Sequence, residues 1–500
     1  MICVILGRGR HSALLEEWEQ AAQAGAELVE LRIDCLRKAP DLERILAKRH
    51  TPVVFTVRKG ADGGLYRGDE DARLSMIRKA IVAGVDYVDL EMDTAQAIKR
   101  PKFAKTKRIV SYHNFQKMPE DLEYLAEKMR ALDPDIVKIA TVAHSVKEAS
   151  RLLEFVREAN KVCPTIGIAM GDLGSFTRIL GTKYGAPYTY AGFNPERMFA
   201  PGLLLYQQLK REFFHDQIDH KTELYGVIGD PIGHSLSPII HNTAFRHEGL
   251  NKVLVPFRIP ADRLEESLNS LRWLGLKGIS VTIPHKETVI PMLKTVDHTV
   301  ETVKACNTMV HEHEGWVGHN TDITAAMECL EAVLKKVTPE VENPLMDKQV
   351  LILGAGGVAR AIAAGLMQRG AGVALTARKD EKATKLAEEL NCRSVPWTGR
   401  ASTIIDILIN CTPVGMHPEV DDSPVPVAAF RPGLIVFDTI YRPENTLFIK
   451  QALDRECMAI TGVHMFVRQA ALQYQYYTGH QAPEQLMYET VKRKLSAAQD

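Results

Sequence analysis

The sequence predicts an α/β protein: an N-terminal (β/α)8 TIM barrel, then an α/β substrate domain and a Rossmann-type nucleotide domain. Three observations carry this. Short apolar runs alternate with amphipathic stretches eight times before about residue 215, the rhythm of a closed barrel. A charged stretch without apolar period, 215–223, then interrupts the rhythm, and a fresh strand from Leu224 stops at Asp230-Pro231. Finally, the apolar run Gln349–Leu353 leads directly into Gly354, Gly356 and Gly357 and an alanine-rich helical pattern, as in a dinucleotide fold. The expected domains are 1–218, 219–322 and 323–500, with the last helices packing back on the substrate domain.

Composition bounds the function. Lys+Arg and Asp+Glu both total 62, so no net field favours nucleic acid or a membrane surface. The eight cysteines are scattered with no CxxC pair, which reads as reduced thiols and not as a disulfide framework or zinc site. No apolar run approaches the ~18 residues of a membrane span. Met1-Ile2-Cys3 runs straight into a strand pattern, leaving no room for a signal peptide. The expectation is a soluble cytoplasmic protein with small-molecule substrates, no nucleic-acid or membrane partner and no metal. Oligomeric state is not legible.

The barrel strands are expected at 2–7, 28–34, 52–58, 85–92, 108–115, 135–141, 165–171 and 187–193, the last being short and aromatic. Several carry polar residues where a purely structural barrel would carry Val or Ile. Strand two has Glu30, Arg32 and Asp34 on one alternating face; strand three ends in Arg58; strand five carries His113. In strand six, Lys138 lies between Val137 and Ile139, so period-2 alternation turns it into the barrel. Loss of water there disfavours the ammonium form, and a neutral amine attacks ketones. An ion pair with Glu30 or another interior acid reads equally well from position alone. Arg32, Arg58 and Arg178 at one mouth call for an anion between them, which points to a carboxylate-bearing substrate.

ELRID at Glu30, FTVR at Phe55, SYHNF at Ser111, DIVKIAT at Asp135 and the AMG…TRILG run from Ala169 together resemble type I 3-dehydroquinate dehydratases, in the family's order. The resemblance implies that Lys138 forms a Schiff base and that His113 is the general acid/base. It also implies that Glu30, Arg32, Arg58 and Arg178 line the substrate site, and that 3-dehydroquinate loses water to give 3-dehydroshikimate. Three departures stand out. Asp62 replaces the family's Glu before Gly63-Gly64, so its shorter carboxylate is expected to reach His113 less well. Asn114 replaces the usual Asp, and the family's Ser-Ala-Pro-Gly-Gln loop reads Phe199-Ala200-Pro201-Gly202-Leu203. Two polar substrate contacts thereby become apolar, so a slower first half is expected.

In the second half, Ser235 and Ser237 flank Leu236 before a helix start at Pro238, suited to a carboxylate oxygen or to an ordinary capping turn. A helix is expected over 261–274. Lys286 follows a strand ending in Thr282 and Pro284, and Asn307, Asn320 and Asp322 end the arms of a hairpin that can meet it. HEHE at 311–314 resembles a metal cluster on paper but reads better as an exposed edge. After strand GVALTAR, Arg378 and Lys379 stand where an NAD-binding fold places an acid, so the 2′-phosphate of NADP is favoured.

GDPIGHSLSP, ISVTIPHK, ACNT, GHNTD, GAGG, NCTPVGM and YRP resemble shikimate dehydrogenases throughout 224–480. The resemblance implies that Lys286 and Asp322 form the catalytic pair. Ser235, Ser237, Thr282, Asn307, Tyr441 and Gln469 would hold substrate. Gly354, Ala355, Gly356, Gly357, Arg378, Lys379, Thr412, Met416 and Gly462 would line an NADP(H) site, with Ala377 altering one contact. The product implied for the first half is the substrate implied for the second, so the leading expectation is a bifunctional enzyme. A quinate/shikimate dehydrogenase with a weak or inactive dehydratase half and a non-catalytic metabolite sensor are the alternatives. Retention of Lys138, His113, Lys286 and Asp322 argues against the sensor.

Overall fold

A computed structural model describes residues 1–102, 105–233 and 235–496. The chain divides into two compact units. One is Met1–Tyr225 with Asp230–Pro238 and Gly249–Leu276; the other is Gly226–Gly229 with Ile239–Glu248 and Lys277–Asp500.

The first unit contains eight parallel strands: β1 (Ile2–Leu6), β2 (Leu28–Arg32), β3 (Val53–Thr56), β4 (Tyr87–Glu91), β5 (Lys107–Asn114), β6 (Ile136–Val142), β7 (Thr165–Met170) and β8 (Thr189–Gly192). They lie in the order β7-β6-β5-β4-β3-β2-β1-β8. The ladder is a barrel sheet with β7 and β8 at its two ends. Val137 and Ile139 of β6 are wholly buried, as residues between sheet and helices must be. The helices between strands begin where short polar side chains satisfy free amides. Ser145 accepts from the Glu148 amide before the helix Val146–Ala159, and Asp69 accepts from the Ala72 amide before Glu70–Val82.

The remaining strands form two six-stranded sheets. The first has the order β10-β9-β11-β13-β14-β12, from β9 (Glu223–Gly229), β10 (Lys252–Arg258), β11 (Gly278–Val281), β12 (Thr295–Val296), β13 (Thr308–Glu312) and β14 (Gly315–His319). The second has the order β17-β16-β15-β18-β19-β20, from β15 (Gln349–Leu353), β16 (Gly372–Thr376), β17 (Arg393–Ser394), β18 (Ile407–Asn410), β19 (Ile435–Asp438) and β20 (Met458–Ile460). This second sheet is wholly parallel. Its order reverses between β16-β15 and β15-β18, and such a switch point opens a crevice at the strands' carboxyl ends. Val350, Leu351, Ile352 and Leu353 are buried on both faces.

The helix expected over 261–274 is three pieces, Ala261–Arg263, Leu264–Leu271 and Arg272–Leu274, only the middle one α-helical. HEHE is exposed and spans the end of β13 and the turn of the β13–β14 hairpin, with His311 set edge-on against Trp316. No helix among the described residues is long and apolar enough to cross a membrane.

Candidate active sites

Barrel strands aim alternate side chains inward, and the inward residues of β2, β4, β5 and β6 build one buried charge array. Lys138 Nζ lies 2.9 Å from Asp89, 3.8 Å from Glu30 and 4.0 Å from the centre of the Tyr190 ring. Asp89 also meets Arg58 at 2.8 Å and accepts a 2.6 Å bond from Ser111. Arg58 in turn reaches Glu91 at 3.1 Å, and Glu91 reaches the wholly buried Arg73 at 3.0 Å. Burial pushes the Asp89 carboxyl up, but Arg58, Lys138 and His113 outweigh it and hold it well below the usual range. Lys138 therefore faces inward as expected, and it is also ion-paired, mainly with Asp89.

His113 lines the same cavity, with Nδ1 buried and lacking a hydrogen-bond partner. Burial, aided by Arg58 and Lys138, pushes its imidazole well below the ordinary value, so the ring is a free base at neutral pH. Asp62 lies on the cavity wall but pairs with Lys59 at 3.4 Å. Asn114 accepts from the amides of Gln116 and Lys117 and so ties the turn after β5.

The three arginines all line the cavity, but only Arg178 lacks a carboxylate partner among the described residues. Arg32 is forked onto Asp34 at 2.9 and 2.7 Å, and Arg58 has Asp89 and Glu91. No carboxylate among the described residues pairs with Arg178; it is buried, its Nε lacks a partner, and burial alone pulls it down to about 10. A buried guanidinium without a counterion is costly unless a ligand supplies one. Phe199 and Leu203 form the apolar wall.

In the second unit, Lys286 Nζ is 2.6 Å from Asp322. Asp322 is in the first turn of the helix Thr321–Val337, which Asn320 caps by accepting from the Asp322 and Ile323 amides. Asn307 is locked from two sides: Nδ2 donates to Thr321 Oγ1 at 2.9 Å, and Oδ1 accepts from the Thr321 amide at 2.9 Å and Thr308 Oγ1 at 2.8 Å. Gln473, one turn beyond Gln469, supports this array by donating to the Asn307 carbonyl and Thr308 Oγ1, both at 3.0 Å. Gln469 itself donates to the Phe466 carbonyl, and Tyr441 stacks on Phe466 at 4.7 Å. The Thr282 amide donates to Ile228 of β9 at 3.0 Å. Ser235 and Ser237 belong to the first unit, where Ser235 Oγ accepts from the Ser237 amide at 3.3 Å in the turn that leads into the helix Ser237–His247.

The residues expected at the cofactor lie beyond the carboxyl ends of the Rossmann strands. Gly354 follows β15 at φ +120°, where a Cβ would lie 2.9 Å from the Cys411 carbonyl. Gly356 caps the helix Gly357–Gln368 and a Cβ there would meet nothing within 4 Å, leaving room for phosphate oxygens at the helix N-terminus. Ala355 lies between these glycines. Arg378 and Lys379 are exposed just beyond β16, and neither makes an ion pair among the described residues. Thr412 Oγ1 donates to Asn410 at 2.7 Å, and Met416 is exposed. Gly462 has a packing reason of its own, since a Cβ would lie 2.2 Å from the Ile440 carbonyl.

Sequence reasoning missed Asp89, Glu91, Ser111, Tyr190 and Gln473. The DLE spacing of β4 was a usable signal, because alternation turns Asp89 and Glu91 to one face.

Residues 2–220 match the type I 3-dehydroquinase family. Residues 227–309 match the shikimate dehydrogenase substrate-binding domain, and 462–492 the shikimate 5′-dehydrogenase C-terminal domain. Residues 349–436 match a family described as NADP oxidoreductase, coenzyme F420-dependent. The chain is 33% identical over 512 residues to the chloroplastic bifunctional 3-dehydroquinate dehydratase/shikimate dehydrogenase of Arabidopsis thaliana, covering 99% of this chain and 84% of that protein. It is 41% identical over 265 residues to the shikimate dehydrogenase (NADP(+)) of Pelobacter propionicus, covering 52% of this chain and 92% of that protein. A solved shikimate dehydrogenase in complex with NADP+ aligns at TM-score 0.51 and 32% identity, covering 56% of this chain and 97% of that one.

Proposed function

Because the chain belongs to the bifunctional 3-dehydroquinate dehydratase/shikimate dehydrogenase family, we propose that Lys138 and His113 run the dehydration and that Lys286 and Asp322 run the reduction. The chain is a shikimate-pathway enzyme with a lyase half and an NADP-dependent oxidoreductase half. The proposed domain limits are 1–218, 219–322 and 323–500. Its eight cysteines are free thiols, which supports a reducing, cytosolic setting.

In the dehydratase half, Lys138 Nζ adds to the C3 ketone of 3-dehydroquinate and expels water, forming an imine. The imine draws electrons, so C2 gives a proton to the neutral His113. His113 returns that proton to the C1 hydroxyl as it leaves, and water then hydrolyses the imine, releasing 3-dehydroshikimate and the free amine. Arg178 takes the substrate carboxylate. Asp89 is acceptor-only and holds the Nζ in place. Asp62, on the wall of the same cavity, assists His113.

In the reductase half, Lys286 supplies a proton to the C3 oxygen as the carbonyl is reduced, and Asp322 orients the ammonium. When bound, NADPH supplies the hydride. Gly354, Ala355, Gly356 and Gly357 would hold its pyrophosphate, Arg378 and Lys379 its 2′-phosphate, and Thr412, Met416 and Gly462 its nicotinamide end. Ser235, Ser237, Thr282, Asn307, Tyr441 and Gln469 would hold the substrate.

The observation carrying the dehydratase reading is a buried lysine on the same cavity as a neutral histidine and a buried arginine without a counterion. A coupled assay tests both halves: 3-dehydroquinate plus NADPH should consume NADPH and yield shikimate. Consumption with 3-dehydroshikimate but not with 3-dehydroquinate would remove the first half of the proposal.

A further inference from the structure

The wall of the dehydratase cavity that carries Phe199 is built, not merely depleted of polar groups. The Phe199 ring lies 5.2 Å from the Arg32 guanidinium carbon. It fills a seat that only a glycine leaves: a Cβ on Gly7 would lie 2.6 Å from Phe199 Cζ and 2.9 Å from Cys35 Sγ. Arg32 beneath it is spent on Asp34, with Nε and Nη2 at 2.9 and 2.7 Å. Leu203, next on the same wall, is buried and reaches towards Gly192, where a Cβ would lie 3.2 Å from Leu203 Cδ2. The intervening loop is fastened to the barrel by the Gly171 amide on the Pro201 carbonyl at 3.1 Å and the Gly192 amide on the Leu204 carbonyl at 2.9 Å. Arg197 adds a 3.2 Å bond to the Gly7 carbonyl.

We propose that Phe199, seated by Gly7 on Arg32, is a specificity-determining residue that makes this wall read ring carbon instead of a hydroxyl. This rests on the dehydratase reading above. The reaction uses the C3 ketone, a C2 proton and the C1 hydroxyl, so the C4 and C5 hydroxyls are bystanders that only the walls can recognise. A site that hydrogen-bonds a hydroxyl rejects the analogue lacking it by about 10⁴-fold or more, because its own polar groups are left unpaired. An apolar wall has nothing to leave unpaired and discriminates by only about 10–200-fold. The predicted substrate class is therefore wider: 3-oxocyclohexane carboxylates with a C1 hydroxyl and either bystander hydroxyl missing at the position facing Phe199.

The test compares kcat/KM of the full chain for 3-dehydroquinate and its 4-deoxy and 5-deoxy analogues, with borohydride trapping on Lys138 run alongside. We expect at least one deoxy analogue to fall within about 200-fold of 3-dehydroquinate, and F199S to widen that ratio. G7A, which pushes on the same ring from behind, should shift the ratio in the same direction. Limited proteolysis of the barrel half of the same samples reports that each variant has folded. Rejection of both analogues by more than about 10³-fold overturns the inference, as does an F199S ratio equal to that of the unmodified chain. If trapping on Lys138 still occurs, only the specificity claim has failed; if no ketone leaves an adduct there, the dehydratase reading fails with it.

Discussion

In the barrel, Lys138, Arg58 and Arg32 each meet a carboxylate of another strand or of a nearby turn, whereas beyond β16 Arg378 and Lys379 are exposed and make no ion pair among the described residues. The first arrangement is a buried network whose members depend on one another; losing one leaves another charge stranded in a poor solvent. The second is an exposed pair whose attraction for a ligand phosphate is screened by salt. Buried charge is suited to chemistry, where the position of a proton matters, and exposed charge to capture of a cofactor that must come and go. Arg178, on the same cavity, is buried with no carboxylate partner among the described residues.

Removing the nucleophile should break the comparison most sharply. Lys138→Met should cut dehydratase kcat/KM on the order of 10⁴-fold or more, since residues that act as a unit fail together, and leave reductase turnover unchanged. Borohydride with 3-dehydroquinate should add mass to the Lys138 peptide of the unmodified chain and to no peptide of the variant. Trapping on another lysine would remove Lys138 from the mechanism.

The mirror experiment is Lys286→Ala. General acid catalysis contributes about 10²–10⁴-fold, so reductase kcat should fall by that amount with dehydratase kinetics intact. A change confined to KM would reassign Lys286 to binding.

The two cationic sites separate next. Arg178→Gln removes a charge-assisted pair worth about 1.5–3 kcal/mol, so the KM for 3-dehydroquinate should rise by one to two decades with little dependence on salt. Arg378→Ala should weaken NADPH by one to two decades at most and leave NADH nearly untouched, with the difference shrinking as salt rises. Equal use of both cofactors by the unmodified chain would end the 2′-phosphate assignment.

The legible parts of this molecule are those in which spacing alone constrains a side chain. Alternation in β6 turns Lys138 inward, and the order of strand, glycines and helix after Gln349 marks the nucleotide crevice. What spacing cannot give is the partner. Arg73 lies on a helix, where an arginine is ordinarily a surface residue, yet it is wholly buried because Glu91 of β4 comes to it. Three clustered arginines need fewer outside anions than their number for the same reason: Asp89 and Glu91 of β4 neutralise Arg58. Gly7 and Phe199 lie at opposite ends of the barrel sequence, and neither reveals the other's role. Asn114, where the resembled family has Asp, closes the turn after β5.

The smallest expected effect concerns acid stability, whose loss differs in size between the halves. In the barrel, His113 and His215 are pushed down by burial, His215 to about 4, and Asp89 is held low chiefly by Arg58 and Lys138 against its burial. A group with a lowered folded value contributes stability above its unfolded value and loses it as pH falls through the folded one. For the two histidines that loss begins near pH 6.5, their unfolded value, and Asp89 adds to it below about 4. All three therefore weaken the barrel in acid. In the second unit His241, pushed down by burial to about 4, and His464, pushed down chiefly by burial, act in the same direction. Asp438 at the end of β19 opposes it: burial raises its carboxyl to about 6, despite bonds from Thr446, the Ile440 amide and Asn410. A raised carboxyl contributes stability that is fully present below about 3.9 and is lost as pH rises through about 6. Between pH 6.5 and 4 the second unit should thus lose less stability than the barrel, by on the order of 1 kcal/mol, since one proton over one pH unit is about 1.4 kcal/mol. Denaturant titrations followed by proteolysis and mass spectrometry report each unit separately. Asp438→Asn should steepen the acid loss of the second unit towards that of the barrel. Equal acid slopes for the two units in the unmodified chain would show that Asp438 does not hold its proton there.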